Sequence, residues 1–328
     1  MALDVKVKID LKKPVGRLTF GYPLILSIGA ANNYTECKTL EEVVTAGFTT
    51  STETYKAAAI MFTQNNPPAK IAVCGVAESS DLSAIKDKGW RQLYIAGFDV
   101  GDEGSATDLT AIKTYIEATT DKIWFATVED NTNLSKLGDS DRVVGFVHAN
   151  PLASAALIGE AAGRDAGSFT YKNLILKGIE PEFYTDTELD TIHSANGIAF
   201  VTKAGDNVTS EGKAMSGEYI DIVDSKDYII QQMSYGTQKV LNSMAKIPYD
   251  NNGIAILESV AVNVMKDAYN KGMIATNEDG TPAYSVDYAM REDTAAEDRV
   301  ARKYLGGQFS FKLAGAIHTV EITGEIEI

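Results

Sequence analysis

Three histidines, His148, His193 and His318, are the side chains best suited to proton transfer or metal binding at neutral pH. They stand far apart, and none has a neighbour at metal-ligand spacing. His148 follows the apolar run Val143–Val147, a strand end where a catalytic histidine could sit. A purely structural role is the simpler reading. A dinucleotide fold needs several glycines where its first strand meets its first helix. Here Gly29-Ala30-Ala31-Asn32-Asn33-Tyr34 follows the run Leu24–Ile28 and offers one glycine. No G-x-x-x-x-G-K-[ST] loop is present, and Gly101-Asp102-Glu103-Gly104 is too acidic to cradle a phosphate. No G-x-S-x-G elbow occurs either. The 45 Asp and Glu residues are scattered, so no carboxylate pair can be singled out. Cys37 and Cys74 fit neither a metal pattern nor a disulfide framework and read as reduced thiols, Cys74 within a buried strand. The sequence therefore predicts no catalytic, cofactor or metal site, and no enzyme. The alternative is a cytoplasmic enzyme with a doubly wound nucleotide- or small-molecule-binding domain.

The most regular spacing lies at the two ends. Val5, Val7, Ile9 and Leu11 alternate with Lys6, Lys8, Asp10 and Lys12. Val320, Ile322, Ile326 and Ile328 alternate with Glu321, Thr323, Glu325 and Glu327. Period-2 alternation is the pattern of a half-buried strand. A strand edge is an open template, so each terminal strand needs a partner. The partner is either the chain's own sheet or a neighbouring molecule, by strand addition. Near the C-terminus, Thr294 and Glu297 read as a capping box that opens a helix from Ala295 to Leu305. Arg299, Arg302 and Lys303 share one face of it, opposite Val300, Ala301, Tyr304 and Leu305. Cations near a helix C-terminus complement the macrodipole. They could also dock onto an acidic partner.

The positioning elements change character along the chain. From Pro23 to about His148, short apolar runs (Leu24–Ile28, Ile71–Val76, Leu93–Ala96, Ile123–Val128, Val143–Val147) alternate with helical stretches. Runs of this kind are strands covered on both faces, hence a mostly parallel, doubly wound sheet. Tyr55, Ala58, Ala59 and Phe62 are spaced as one helix face, ended by Pro67-Pro68, and Leu109, Ile112 and Ile116 as another. Gly159, Gly163 and Gly167, four apart, would let a second backbone approach the helix that begins near Leu152. The second half reads as α+β. It has strands at Leu174–Ile179, Gly197–Lys203 and Glu218–Val223, and a long helix capped by Asp224 or Ser225. A second long helix runs from Ile254 to Lys271, followed by strands Tyr284–Tyr288, Gln308–Lys312 and Ile317–Ile328.

Composition narrows the partners. A net charge of −15 argues against nucleic acid. No window approaches the ~20 apolar residues that span a bilayer, and no signal-peptide core is visible. Folding in a cytoplasm is the expectation. The sequons at Asn33, Asn133 and Asn207 then read as chance matches.

The order of several stretches resembles a contractile tail sheath protein, from a bacteriophage or a phage-tail-like injection particle. In the first half these are Pro23-Leu24-Ile25-Leu26-Ser27-Ile28-Gly29 and Tyr55-Lys56-Ala57-Ala58 with Phe62. Ala149-Asn150-Pro151-Leu152-Ala153, with Gly159 and Gly163, leads to Lys172-Asn173-Leu174. Then come Asn196-Gly197, Thr209-Ser210-Glu211-Gly212, Gly217-Glu218-Tyr219-Ile220-Asp221, Lys246-Ile247-Pro248-Tyr249 and Leu313-Ala314-Gly315-Ala316-Ile317-His318. The resemblance covers most of the chain, without the large outward domain of bigger sheaths. It implies a near-minimal, non-enzymatic subunit that needs no cofactor and stacks as hexameric rings around an inner tail tube protein. Baseplate and tail terminator proteins would meet the ends of the sheath. Contraction would drive the tube through a target envelope. The particle would be assembled in a host bacterial cytoplasm and function as a virion tail or tail-like device, with no nucleic-acid or membrane partner. On this reading residues 1–16 are an N-terminal arm, 17–170 an α/β subdomain, 171–316 an α+β subdomain and 317–328 a C-terminal linking strand. The arm strands would join neighbouring subunits, and Arg299, Arg302 and Lys303 would face the tube.

Overall fold

The computed structural model describes residues 20–318. The terminal alternating segments, with Val5, Val7, Ile9, Leu11, Val320, Ile322, Ile326 and Ile328, lie outside the described residues. The first strand is β1 (Leu24–Ile28), an interior strand whose Leu24, Ile25 and Leu26 are fully buried. It pairs in parallel with β3 (Ile71–Val76) on one side and β4 (Gln92–Ile95) on the other. The parallel ladder continues through β5 (Ile123–Val128), β6 (Val143–Val147) and β7 (Ile198–Lys203). Two short antiparallel strands close the edges, β2 (Thr35–Cys37) beside β3 and β8 (Asp206–Thr209) beside β7. The sheet order is β2-β3-β1-β4-β5-β6-β7-β8. Apolar cores cover both faces, so β3, β4 and β6 are buried at every position, as continuous apolar runs require.

The helices on the two faces are α1 (Leu40–Thr45), α2 (Glu53–Thr63), α3 (Ala106–Glu117), α4 (Leu134–Leu137), α5 (Ala153–Ala162) and α6 (Asp186–Ser194). α3 buries Leu109, Ile112 and Ile116, as their spacing predicts. α2 is rotated from the expected face. Thr54, Ala57, Ala58, Ile60 and Met61 are buried, while Tyr55 and Phe62 lie at the margin of the core. Small residues allow this rotation, because α5 packs directly on α2. A Cβ at Gly159 would stand 2.6 Å from the Met61 Cα, and one at Gly163 would fall on the Asn66 carbonyl. Glu160, beside them, is buried and accepts from the Asn65 and Asn66 amides at 2.9 and 3.2 Å, with Arg164 at 2.6 Å.

Beyond the sheet lie two long helices, α7 (Ile220–Ser243) and α8 (Asn251–Asn270). A two-stranded antiparallel sheet of β9 (Tyr284–Tyr288) and β10 (Gly307–Phe311) follows, with α9 (Ala296–Val300) between its strands. Gly272, at φ 80°, stops α8 in the left-handed conformation.

Four expectations are corrected. Residues 174–179 form no strand. Leu174, Leu176 and Ile179 are buried singly, and the backbone of this stretch meets β8 at Thr209 alone. Residues 220–223 open α7 rather than forming a strand, and the N-cap is Tyr219 without a side-chain bond. Asp224 and Ser225 are therefore inside the helix and buried. The eight-stranded sheet also runs past residue 170 and takes in β7 and β8, because β7 extends the parallel ladder beside β6. Finally, α9 ends at Val300 rather than Leu305. Its N-cap is Ala295, and the Thr294 hydroxyl donates to the Arg291 carbonyl instead of capping.

Candidate assembly surfaces

Each histidine is held by neighbouring polar groups. His148 Nε2 lies 2.9 Å from the Glu180 carbonyl, and its Nδ1 accepts from the Asn150 amide at 2.8 Å. With its ring buried, His148 pins the loop after β6 and has the structural role. His193 Nε2 lies 2.9 Å from Ser210 Oγ, a pairing that suits nucleophile activation. The Ser210 residue is fully buried and its hydroxyl also accepts from the Ala199 amide at 2.9 Å, so no substrate reaches it. Burial also holds the His193 pKa below its ordinary value. At the C-terminal ends of β4 and β5, where doubly wound sheets bind ligands, the cavity is about 20 Å³. That is room for about one water. Burial pushes the Cys37 thiol up to about 11 and raises that of Cys74.

The strongest charge constellation is structural and escaped sequence reading. Arg91, just before β4, is 2% exposed. Its Nε donates to Asp224 Oδ1 at 3.1 Å and its guanidinium also reaches Asp227 Oδ2 at 2.9 Å. Arg142, just before β6, pairs with Asp227 through a second guanidinium, with one bond of 2.8 Å. The Tyr171 hydroxyl donates to Asp224 Oδ2 at 2.9 Å. Burial opposes the Arg91 charge, but Asp224 and Asp227 outweigh it and hold its pKa above the ordinary value. Burial, then Asp224, raises that of Tyr171. This network ties the N-terminal ends of the parallel strands to the first turns of α7.

The three cations predicted to share a helix face are separated by the early end of α9. Arg299 turns inward, donating to the Arg291 carbonyl at 3.1 Å and to the Thr294 carbonyl. Arg302 adopts φ 56° after the helix, and both it and Lys303 are exposed. Val300 and Leu305, expected on the packed side, are 86% and 67% exposed. The exposed set is thus Val300, Arg302, Lys303 and Leu305, apolar and basic together.

The β9–β10 sheet has one apolar face. Tyr284, Val286, Tyr288, Phe309 and Phe311 pack against the cluster built on α7 and α8, and Phe309 stands opposite Val286. Ser285, Asp287, Gln308 and Ser310 point away and are exposed. Among the described residues, neither strand has a backbone partner on its outer edge. A two-stranded sheet is marginal alone and normally needs further strands or a packed helix.

Residues 220–326 match the family model described as E217 tail sheath protein gp31-like, C-terminal domain. No curated protein matches the sequence. The fold is similar to that of the helical sheath of the anti-feeding prophage in its contracted state, with a TM-score of 0.74 at 13% identity over 95% of this chain and 94% of that one. It is equally similar to a chain of the contracted PVC sheath complex, an extracellular contractile injection system, with a TM-score of 0.73 at 10% identity over 96% and 94%. The sheath tail protein of Listeria innocua gives 0.59 at 9% identity over 90% and 96%. At these identities the likeness is one of fold.

Proposed function

We propose that this chain, a contractile tail sheath protein by the family its C-terminal third matches, joins its neighbours by adding terminal strands to their β9–β10 sheets. The observation that carries this reading is the unfinished two-stranded sheet. Among the described residues both of its outer edges lack a backbone partner, and the sequence has two segments of strand pattern outside the described residues. Val5, Val7, Ile9 and Leu11, like Val320, Ile322, Ile326 and Ile328, would extend the apolar face of Val286 and Phe309. Lys6, Lys8 and Lys12, and Glu321, Glu325 and Glu327, would then share the polar face with Asp287. Cross-strand ion pairs of ~0.2–1 kcal/mol set register more than strength. Backbone bonds supply the link.

On this reading residues 1–16 and 317–328 are linkers and residues 17–316 are the body. The body divides near the end of β8 rather than at residue 170. Copies stack as hexameric rings around an inner tube protein, with baseplate and terminator proteins at the ends. The work is mechanical: subunits repack as rigid bodies, driven by interface energy rather than by nucleotide hydrolysis. Assembly takes place in a host bacterial cytoplasm. The tube contact is the exposed set Val300, Arg302, Lys303 and Leu305, with Arg299 holding the turn that presents them. Contacts of ~0–1 kcal/mol each suit a sheath that must slide off its tube.

Deleting residues 319–328 tests the linkage. The truncated chain should be a folded, soluble monomer that forms no sheath by electron microscopy. Truncated protein that unfolds, or that still forms long sheath, would place the strand in its own core.

A further inference from the structure

The described residues end at Phe20 and His318; Phe20 packs on Tyr228 of α7, and His318 packs on Tyr219, the residue that caps the same helix. The Phe20 ring lies 4.2 Å from the Arg91 guanidinium carbon and meets the Tyr228 ring edge-on at 5.6 Å. Arg91 is in turn bound to Asp224 and Asp227 of α7. Gly21 makes the next turn at φ 105°, so close to the body that a Cβ there would stand 2.5 Å from the Arg91 Cβ. The Arg91 amide then donates to the Tyr22 carbonyl at 2.9 Å, which sets the chain into β1.

His318 is held as closely. Its ring meets the Tyr219 ring edge-on at 4.8 Å, one residue before α7. Its Nε2 lies 3.0 Å from Thr170 Oγ1 and its Nδ1 3.3 Å from Glu211 Oε1. Glu211 also faces Lys172 at 3.6 Å, and the His318 side chain is 11% exposed. Tyr219 and Tyr228 are nine residues apart, or about 13 Å along a helix axis.

We propose that Tyr219 and the first turns of α7 form a common anchor for both terminal arms, with Phe20 and His318 as the positioning residues that aim them. The inference rests on the sheath reading and adds to it. A freely jointed arm samples many directions, and each strand would lose that freedom on adding to a neighbour's sheet. An arm whose root is fixed has already lost part of it, so its effective concentration at the receiving edge is higher. Because both roots lie beside the N-terminal part of α7, that helix and the Arg91 network share the tension on either arm with the strands that follow. Residues 20–318 can then turn as one body while the arms keep neighbours connected.

Phe20→Ala, His318→Ala and the double variant test this in the full chain. Hydrogen exchange on the unassembled protein should speed up at the amides around each substituted root while α7 stays protected. The double variant should need on the order of tenfold more protein than wild type to form sheath, read by pelleting and electron microscopy. Wild-type exchange at both roots, with a wild-type assembly threshold, would overturn the proposal. If His318→Ala also loosens α7, Thr170→Val takes its place, since it removes only the hydroxyl facing His318. Faster exchange at residues 316–318 then supports the anchor, and unchanged exchange overturns it. The two readings separate cleanly. Wild-type protein that never forms rings or sheath counts against the assembly reading, while the exchange data still decide the anchor.

Discussion

The eight-stranded sheet ends on short antiparallel strands, three residues in β2 and four in β8, whereas among the described residues β9 and β10 have no backbone partner along their outer edges. The outer edge of β8 is also met at its last residue, where the Asn173 amide donates to the Thr209 carbonyl and the Thr209 amide to the Leu174 carbonyl, both at 3.0 Å. Short, covered edges are how proteins prevent unwanted strand addition. The side chains differ in the same sense. α5 buries nine of its ten residues and α9 buries none. One region completes its own core, and the other presents surfaces that a second molecule can finish. The Arg91 network joins them. The contrast teaches where stability and assembly can be altered separately.

The largest effect should come from breaking the joint. Arg91→Met leaves Asp224 and Asp227 buried without their main cation, which should cost about 3–5 kcal/mol. Thermal unfolding of the unassembled chain measures it. A loss below about 1 kcal/mol would mean that the two regions are stable independently. A smaller effect is expected inside the first region. Gly159→Ala drives a Cβ against the Met61 backbone and should cost about 1–3 kcal/mol of stability by the same assay.

Glu160 gives a pH-dependent version of that test. Burial alone would raise its pKa, but Arg164 and Asn66 outweigh burial and hold it below the ordinary 4.5. A carboxyl depressed in the folded state contributes stability above its unfolded pKa and loses it as pH falls through the folded one. Glu160→Gln should therefore cost roughly 1.5–3 kcal/mol at pH 7, as for a hydrogen bond to a charged group. The gap to wild type should close as pH falls below 4.5. A gap independent of pH would assign the loss to packing. The smallest effect on the fold belongs to the open region. Replacing Val300 and Leu305 by Ser, and Arg302 and Lys303 by Glu, should leave the melting temperature unchanged and abolish extended sheath on tubes. Normal extended tails would show that these residues face elsewhere.

The parallel ladder was legible in the sequence because strands buried on both faces are continuously apolar, as in Ile71–Val76 and Val143–Val147. The close approach at Gly159 and Gly163 was legible because only small residues permit it. The start of α7 was not. Tyr219-Ile220-Asp221-Ile222-Val223 alternates like a strand, and its helical state is set by tertiary packing. Nor was the Arg91–Asp224 pair, whose members lie 133 residues apart, with no local pattern to mark either as buried. Arg91, a charged residue directly before a buried strand that itself opens on the polar Gln92, was the available hint. The basic face of residues 299–303 misled for a different reason. Spacing assumes that the helix continues, and Arg302 leaves it for the left-handed region.

Cryo-electron microscopy of sheath assembled from the full chain tests the central claim most directly, at the β9–β10 sheet. The account predicts four strands there, with residues near 5–11 of one neighbour and near 320–328 of another flanking Tyr284–Tyr288 and Gly307–Phe311 of the receiving subunit. Terminal strands that fold back onto the β9–β10 sheet of their own chain, with neighbours touching through side chains alone, would contradict it.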